Sequence, residues 1–396
     1  MNHFLSFFPR IKKIAKISEY LFRSKLTWRK PAQCDVLIYD QVGSETLKPL
    51  FDEGCRIGVL SVRGESLNLR VLVRLLWMSG FWKRDIRLSY AVCYVNYAKP
   101  KLVITFIDNS NFFYSLSNEI SDIKTAFIQN GTRGIVADIF ETIEVDSRHR
   151  VDFMFVHGAE IGELYSNYIK GEVFPIGSVK NNVTPYLFNR SVKKNIAFIS
   201  QWHPRIQDNV FIKTKNHSIS HEKFFFAESI VLSFLSEWCR ENGYELTVIG
   251  RRACNNDKFQ EYIFFKNLIK SDFIFLSPNE MLNSYCEIDR FEIVTHIDST
   301  LGYESLARGN KTASFTLRGS LMDVDGANFG WPGSYKDNGL FWTNRDDVSN
   351  FKKIMDYLRD VSDLEWEGVC SDVMKNIICY EADNKKLKQQ LGKIIK

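Results

Sequence analysis

No stretch of the 396-residue chain reaches the roughly 18 consecutive apolar residues that a membrane-spanning helix needs, so the chain is expected not to cross a bilayer. The N-terminus is rich in Phe, but Pro9 and Arg10 interrupt it, and it has neither the apolar run nor the cleavage site of a signal peptide. Eight cysteines (Cys34, Cys55, Cys93, Cys239, Cys254, Cys286, Cys370, Cys379) form no C-x-x-C pair and no metal-ligand spacing with His. They read as core thiols of a reducing cytosol. G-x-G-x-x-G, the P-loop, the G-x-S-x-G elbow and paired hydrolase carboxylates are all missing, which argues against dehydrogenases, NTPases and hydrolases. Excess charge of one sign is also missing. The net charge is +5, and residues 1–33 hold eight Lys/Arg against Glu19 alone, a local +7 that leaves the remainder at −2. No basic face is spread over the chain, so a nucleic-acid partner is not expected.

What is present is a globular composition, with 45% apolar and 25% charged residues, long enough for two cores. Residues 1–33 form a basic N-terminal segment in which Ile11, Ile14, Ile17 and Leu21 recur at helical spacing between Lys12, Lys13, Lys16 and Arg23. Such a helix suits an anionic membrane surface, or else docks on the protein itself. Short β-branched runs at 35–40, 56–61, 101–107, 124–129, 152–157 and 172–176 alternate with amphipathic stretches such as 66–78 and 159–169. Continuous apolar strands between helices predict a buried parallel sheet, here a Rossmann-like domain over 34–178. The polar stretch 179–194, with Pro185, reads as a linker. A second series over 195–360 has strands at 195–200, 245–250, 273–277, 292–297 and 311–315, with helices at 222–241, 257–269, 279–287 and 300–308. Residues 361–396 read as a helical segment that either packs across both domains or touches lipid. The expected class is α/β: two doubly wound Rossmann-like domains facing a central cleft, with the chemistry in post-strand loops.

In the second domain, Ser299, Thr300 and Gly302 follow a strand and open a helix, where unpaired N–H groups and a positive dipole end would cradle a phosphate. The same residues can equally form a plain N-cap with a packing glycine. Glu304, one turn further, suits a ribose diol or an exposed helix face. His203, Pro204 and Arg205, in S-Q-W-H-P-R, follow the domain's first strand. Together with Arg251 after 245–250 they offer positive charge to a phosphate leaving group, although a lone His or a strand-end Arg often has only a structural or solvated role. In the first domain Gln129, Asn130, Gly131 and Arg133 form either a cleft loop or an ordinary Asn-Gly turn. Candidate general bases are Asp108, Asp138 and Glu160, with His157 beside them. No D-x-D stands in a strand-end loop, so a metal-independent reaction without a cofactor is expected.

These segments together resemble bacterial surface carbohydrate (O-antigen and capsule) biosynthesis proteins of the GT-B fold: A-F-I-Q-N-G-T-R-G (126–134), F-V-H-G-A-E-I-G-E-L-Y (155–165), I-G-S-V-K-N-N (176–182), D-S-T-L-G-Y-E-S-L-A-R-G (298–309) and D-N-G-L-F-W-T-N (337–344). The H-P-R and S-T elements are similar to the motifs by which sialyltransferases and Kdo transferases hold CMP. That resemblance implies nucleotide-phosphate contacts for His203, Ser299 and Thr300. CDP-glycerol glycerophosphotransferases are similar in layout, with W-H-G where this chain has Q-N-G, so Asn130 stands where those enzymes carry their base; it is likewise not acidic where CMP-sialic-acid enzymes carry an acid. The resemblance implies a glycosyltransferase moving a sugar from a nucleotide donor, with a CMP-linked nonulosonate or Kdo-type sugar favoured, to a lipid-linked or growing polysaccharide acceptor. The expected location is the cytoplasmic face of the membrane, held through residues 1–33. A CDP-polyol phosphotransferase and a catalytically silent nucleotide- or partner-binding scaffold are the alternatives.

Overall fold

The computed structural model describes residues 21–77, 85–134, 136, 138–143, 145–146, 148–186, 194–204, 212–214, 216–278, 283–324 and 326–396. Most of the basic N-terminal segment, including Ile11, Ile14 and Ile17, and also Arg205, lie outside them.

Two six-stranded sheets carry the fold, and every pairing within them is parallel. The first contains β1 (Val36–Tyr39), β2 (Ile57–Leu60), β3 (Leu102–Thr105), β4 (Lys124–Ile128), β5 (Arg150–Val156) and β6 (Lys170–Pro175), in the order β2-β1-β3-β4-β5-β6. The second contains β7 (Asn195–Ile199), β8 (Glu245–Ile249), β9 (Ile274–Leu276), β10 (Ile293–His296), β11 (Thr312–Phe315) and β12 (Trp342–Thr343), in the order β9-β8-β7-β10-β11-β12. Each order reverses direction once, between β1 and β3 in the first sheet and between β7 and β10 in the second, and ligands of open α/β sheets sit outside the carboxyl ends of the strands at such points.

The central strands are largely apolar because both faces are covered. In β1, Leu37 and Tyr39 join one buried cluster while Val36 and Ile38 join another, the alternation that a pleated strand imposes. The second sheet divides in the same way, with Ile196 and Phe198 on one side and Ala197 and Ile199 on the other. The eleven runs read from sequence all form strands. The twelfth, β12, was not legible: it is two residues long at a sheet edge, too short to show a period. Within 66–78 the chain first makes a strand, Ser66–Asn68, and then the helix Leu69–Leu76, where the Asn68 side chain accepts from Val71 N–H.

Two segments join the domains. The stretch read as a linker begins with a short helix, Val179–Val183, whose Asn181 and Asn182 are buried. The C-terminal segment crosses back to the first domain. After the helix Asp363–Ile377, the Cys379 N–H donates to the His157 carbonyl at 3.1 Å. The final helix, Lys385–Ile395, buries Leu387 and Leu391 against Val36, Ile38, Leu102 and Ile104 of the first sheet. The apolar face of this helix is thus consumed inside the protein, which decides the choice left open by its sequence.

Candidate functional site

The domains enclose a cleft of about 350 Å³ at the carboxyl ends of both sheets. Gln129, Thr132, Arg133 and His157 line it from the first domain, and Gln201, Asp298, Thr300, Tyr303 and Arg318 from the second.

On the first-domain side, the loop leaving β4 is held from beneath by Asp108, which has no exposed surface. Arg133 donates to it through Nε at 2.7 Å and through Nη2, Tyr165 OH donates at 2.6 Å, and Asn130 N–H at 3.3 Å. A carboxylate so fully engaged organises a loop and has no lone pair left for a substrate proton. Asp138 is likewise committed, accepting from Ile139 N–H at 2.7 Å and Gly134 N–H at 3.2 Å and pairing with Arg133 at 3.5 Å. The Asn130 side-chain oxygen accepts from Arg133. Glu160 accepts from Tyr335 OH at 2.9 Å across the domain boundary, and burial raises its carboxyl above the usual range. None of Asp108, Asn130, Asp138 and Glu160 lines the cleft.

His157 does. It directly follows β5, it is 2% exposed, and neither ring nitrogen has a hydrogen-bond partner. Burial lowers its pKa to about 4, so the imidazole is neutral at physiological pH. Gln129 fixes its backbone by accepting from His157 N–H at 2.8 Å, and donates to the Gly131 carbonyl at 2.8 Å.

On the second-domain side, the loops after β7 and β10 stand side by side because those strands pair directly. The helix Thr300–Ala307 starts here with Ser299 as N-cap, although the Ser299 side chain makes no capping bond. Thr300 Oγ1 instead accepts from Thr132 N–H at 3.1 Å and lies 2.8 Å from Thr132 Oγ1, joining the two domains. Gly131 allows this approach, since a Cβ there would stand 3.3 Å from Thr300 Oγ1. Gly302 has a packing function: a Cβ would lie 2.1 Å from Cγ of the His296 ring beneath it.

Several residues singled out in the sequence stand elsewhere. Glu304 occupies neither an exposed helix face nor the cleft. It is buried at the domain junction, where Ser178 and Tyr285 OH donate to it and burial pushes its carboxyl up to about 7. Arg251 sends Nη1 to the Gln201 carbonyl at 3.4 Å, and burial lowers its pKa. His203 and Pro204 are half-buried and do not line the cleft.

Arg318 was not singled out. Its side chain is 1% exposed and is held by Glu228, by Asp298, by Gln201 Oε1 at 2.7 Å and by the Phe224 carbonyl at 3.1 Å, with its guanidinium carbon 3.8 Å from the Phe224 ring centroid. Its signal was its position in T-L-R-G directly after β11, a post-strand loop like the others. Among the described residues, no group of three or more His, Cys, Asp or Glu is arranged to hold a metal ion, and no helix is long and apolar enough to cross a membrane.

Two Rossmann-like domains, a cleft at the strand ends and a C-terminal segment that returns to the first domain define a GT-B-type architecture. Solved structures share it at low sequence identity. The Anabaena protein HepE in complex with UDP and glucose has a TM-score of 0.51 at 10% identity, covering 91% of this chain and 99% of that one. The UDP-GlcNAc 2-epimerase of Neisseria meningitidis bound to UDP-GlcNAc has 0.51 at 11%, covering 93% and 100%. MnaA of S. aureus with UDP has 0.51 at 10%, covering 94% and 96%. A family model described as "putative O-antigen biosynthesis protein" matches residues 126–395, more than half of the chain, and the chain belongs to that family. No curated protein sequence matches it.

Proposed function

We propose that this protein is a glycosyltransferase of bacterial surface-carbohydrate assembly that binds a nucleotide sugar against the second domain and an acceptor against the first. The observation that carries the reading is His157, a buried, neutral imidazole with both nitrogens unpartnered, in the wall of a cleft whose opposite side holds the start of the helix Thr300–Ala307. A neutral ring nitrogen can take the acceptor hydroxyl proton as the acceptor oxygen bonds to the anomeric carbon. The bond from that carbon to the donor phosphate breaks, and the phosphate leaves with its electron pair beside the helix N-terminus and the Ser299–Thr300 hydroxyls. The membership in an O-antigen biosynthesis family supports a carbohydrate substrate.

The donor we favour is CMP-linked, a nonulosonate or Kdo-type sugar. Both guanidinium groups lining the cleft already hold two carboxylates each, Arg133 with Asp108 and Asp138 and Arg318 with Glu228 and Asp298. That charge balance suits a donor with one phosphate better than one with two. The acceptor is proposed to be lipid-linked or a growing polysaccharide, reached from the cytoplasmic membrane surface.

Calorimetric titration of the full chain with CMP, CDP, UDP and GDP tests the reading, with CMP expected to bind most tightly. Preference for UDP, with epimerisation of a UDP-sugar and no transfer, would replace the transferase by an epimerase. Binding of none would leave a scaffold.

A further inference from the structure

A second cavity, of about 300 Å³, lies in the first domain at that sheet's own reversal point, where the loops leaving β1 and β3 supply Asp40, Ile107 and Asn109. Its walls are mainly apolar, formed by Leu67, Leu72, Ile86, Tyr90, Ala91 and Phe112. Two arginines stand between this interior and solvent. Arg63 donates through Nε to the buried Asp40 at 2.7 Å, and the Arg87 guanidinium carbon lies 4.0 Å from the Phe112 ring centroid. Their side chains are 52% and 46% exposed. An apolar chamber edged by guanidinium groups complements an amphiphile, a hydrocarbon chain carrying an anionic group.

Two observations identify the occupant. The helix Leu69–Leu76 and the ladder between Lys25–Thr27 and Ser66–Asn68 carry Leu72 and Leu67 on the cavity side, while Phe22, Trp28, Leu76 and Trp77 are exposed on the same elements or beside them. Segments 21–34 and 66–77 hold Arg23, Lys25, Arg29, Lys30, Arg70 and Arg74 and no carboxylate. Exposed Trp, Phe and Leu among cations without acids match the chemistry of an anionic bilayer surface. The loop 106–110 also serves both cavities: Ile107 and Asn109 line this one, while Asp108 between them holds Arg133 of the interdomain cleft.

We propose that this cavity binds the hydrocarbon chain of a long-chain lipid phosphate, the anchor of the acceptor, with its phosphate at Arg63 and Arg87 and its saccharide reaching towards His157. The proposal rests on the transferase reading and names its acceptor class. In the test, farnesyl phosphate and dodecyl phosphate are titrated into the full chain, with farnesol and inorganic phosphate alongside. The lipid phosphates bind at least about tenfold more tightly than either control, and the better of the two identifies the chain as isoprenoid or alkyl. Leu67→Glu and Arg87→Glu, one in the chamber and one at its edge, each weaken that binding by about tenfold or more, with CMP affinity unchanged as the evidence of an intact fold. Wild-type protein that binds CMP but neither lipid phosphate, or variants that bind both ligands as wild type does, would overturn the assignment. Lipid-phosphate binding without any nucleotide binding would instead sink the donor reading and leave the cavity assignment standing.

Discussion

His157 and His296 are both fully enclosed, and burial brings each pKa down to about 4. Their surroundings differ. His296 Nε2 lies 2.7 Å from the Ser314 hydroxyl, beneath Gly302, and packs the core. His157 has no such partner and lines the cleft. Replacing His157 by Gln is expected to cut sugar transfer by about 10²–10⁴-fold, the range for loss of a general base, with nucleotide affinity unchanged in calorimetry. The same pKa values make a contribution to acid stability. Because the folded pKa lies below the unfolded value of about 6.5, the unfolded chain takes up protons first as pH falls, and stability is lost between about 6.5 and 4. Glu304 and Glu228, both raised to about 7 by burial, act in the opposite sense over the same range, so the histidine contribution is read as a difference: as pH falls from about 6.5 to 4, the urea midpoint of the His157→Gln variant should rise relative to that of the wild type. Sequence placed His157 in F-V-H-G at a strand end, but whether a lone histidine has partners depends on residues remote in the chain, here Gln129, Asp108 and the extended stretch carrying Cys379.

Among the elements, the helix Thr300–Ala307 carries a glycine with a packing role. The run D-S-T-L-G-Y was legible as a strand-to-helix turn, because hydroxyl residues favour helix starts and apolar residues precede them. The glycine was placed correctly in the chain, and its reason lies in the His296 ring below it. Gly302→Ala should force ring or helix to shift, at about 1–3 kcal/mol for an overpacked core site. A lowered Tm together with weakened CMP binding is expected, since the helix start is the proposed phosphate contact. Unaltered nucleotide affinity in a folded Gly302→Ala protein would detach that helix from the donor site. Glu304 illustrates the opposite outcome: on the helix it reads as facing a ribose diol or solvent, yet Ser178 and Tyr285 come from elsewhere in the chain to enclose it.

At the scale of the whole molecule, the C-terminal segment ties the domains. The Cys379 N–H donates to the His157 carbonyl, and Leu387 and Leu391 fill the far face of the first sheet. A buried Leu→Ala change costs about 2–5 kcal/mol. Leu391→Ala is therefore expected to lower the denaturation midpoint and to raise hydrogen exchange in β1 and β3, with the second sheet unaffected. Equal protection of both sheets in that variant would show that the helix is not a working part of the first core.

The sequence by itself determined the two parallel sheets, because strands covered on both faces must be continuously apolar and their connecting helices amphipathic, and both patterns are local. It also pointed to the loops after those strands as the place to look for a site, as doubly wound sheets lead one to expect. Only the tertiary structure decided which of those loop residues meet. Arg318 and His157 lie 161 positions apart, and they line one cleft through two independent sheet reversals and a domain pairing. Carboxylates that look available along the chain, Asp108 and Glu304 among them, are used up by donors from distant segments, since a buried charge persists only where such partners converge.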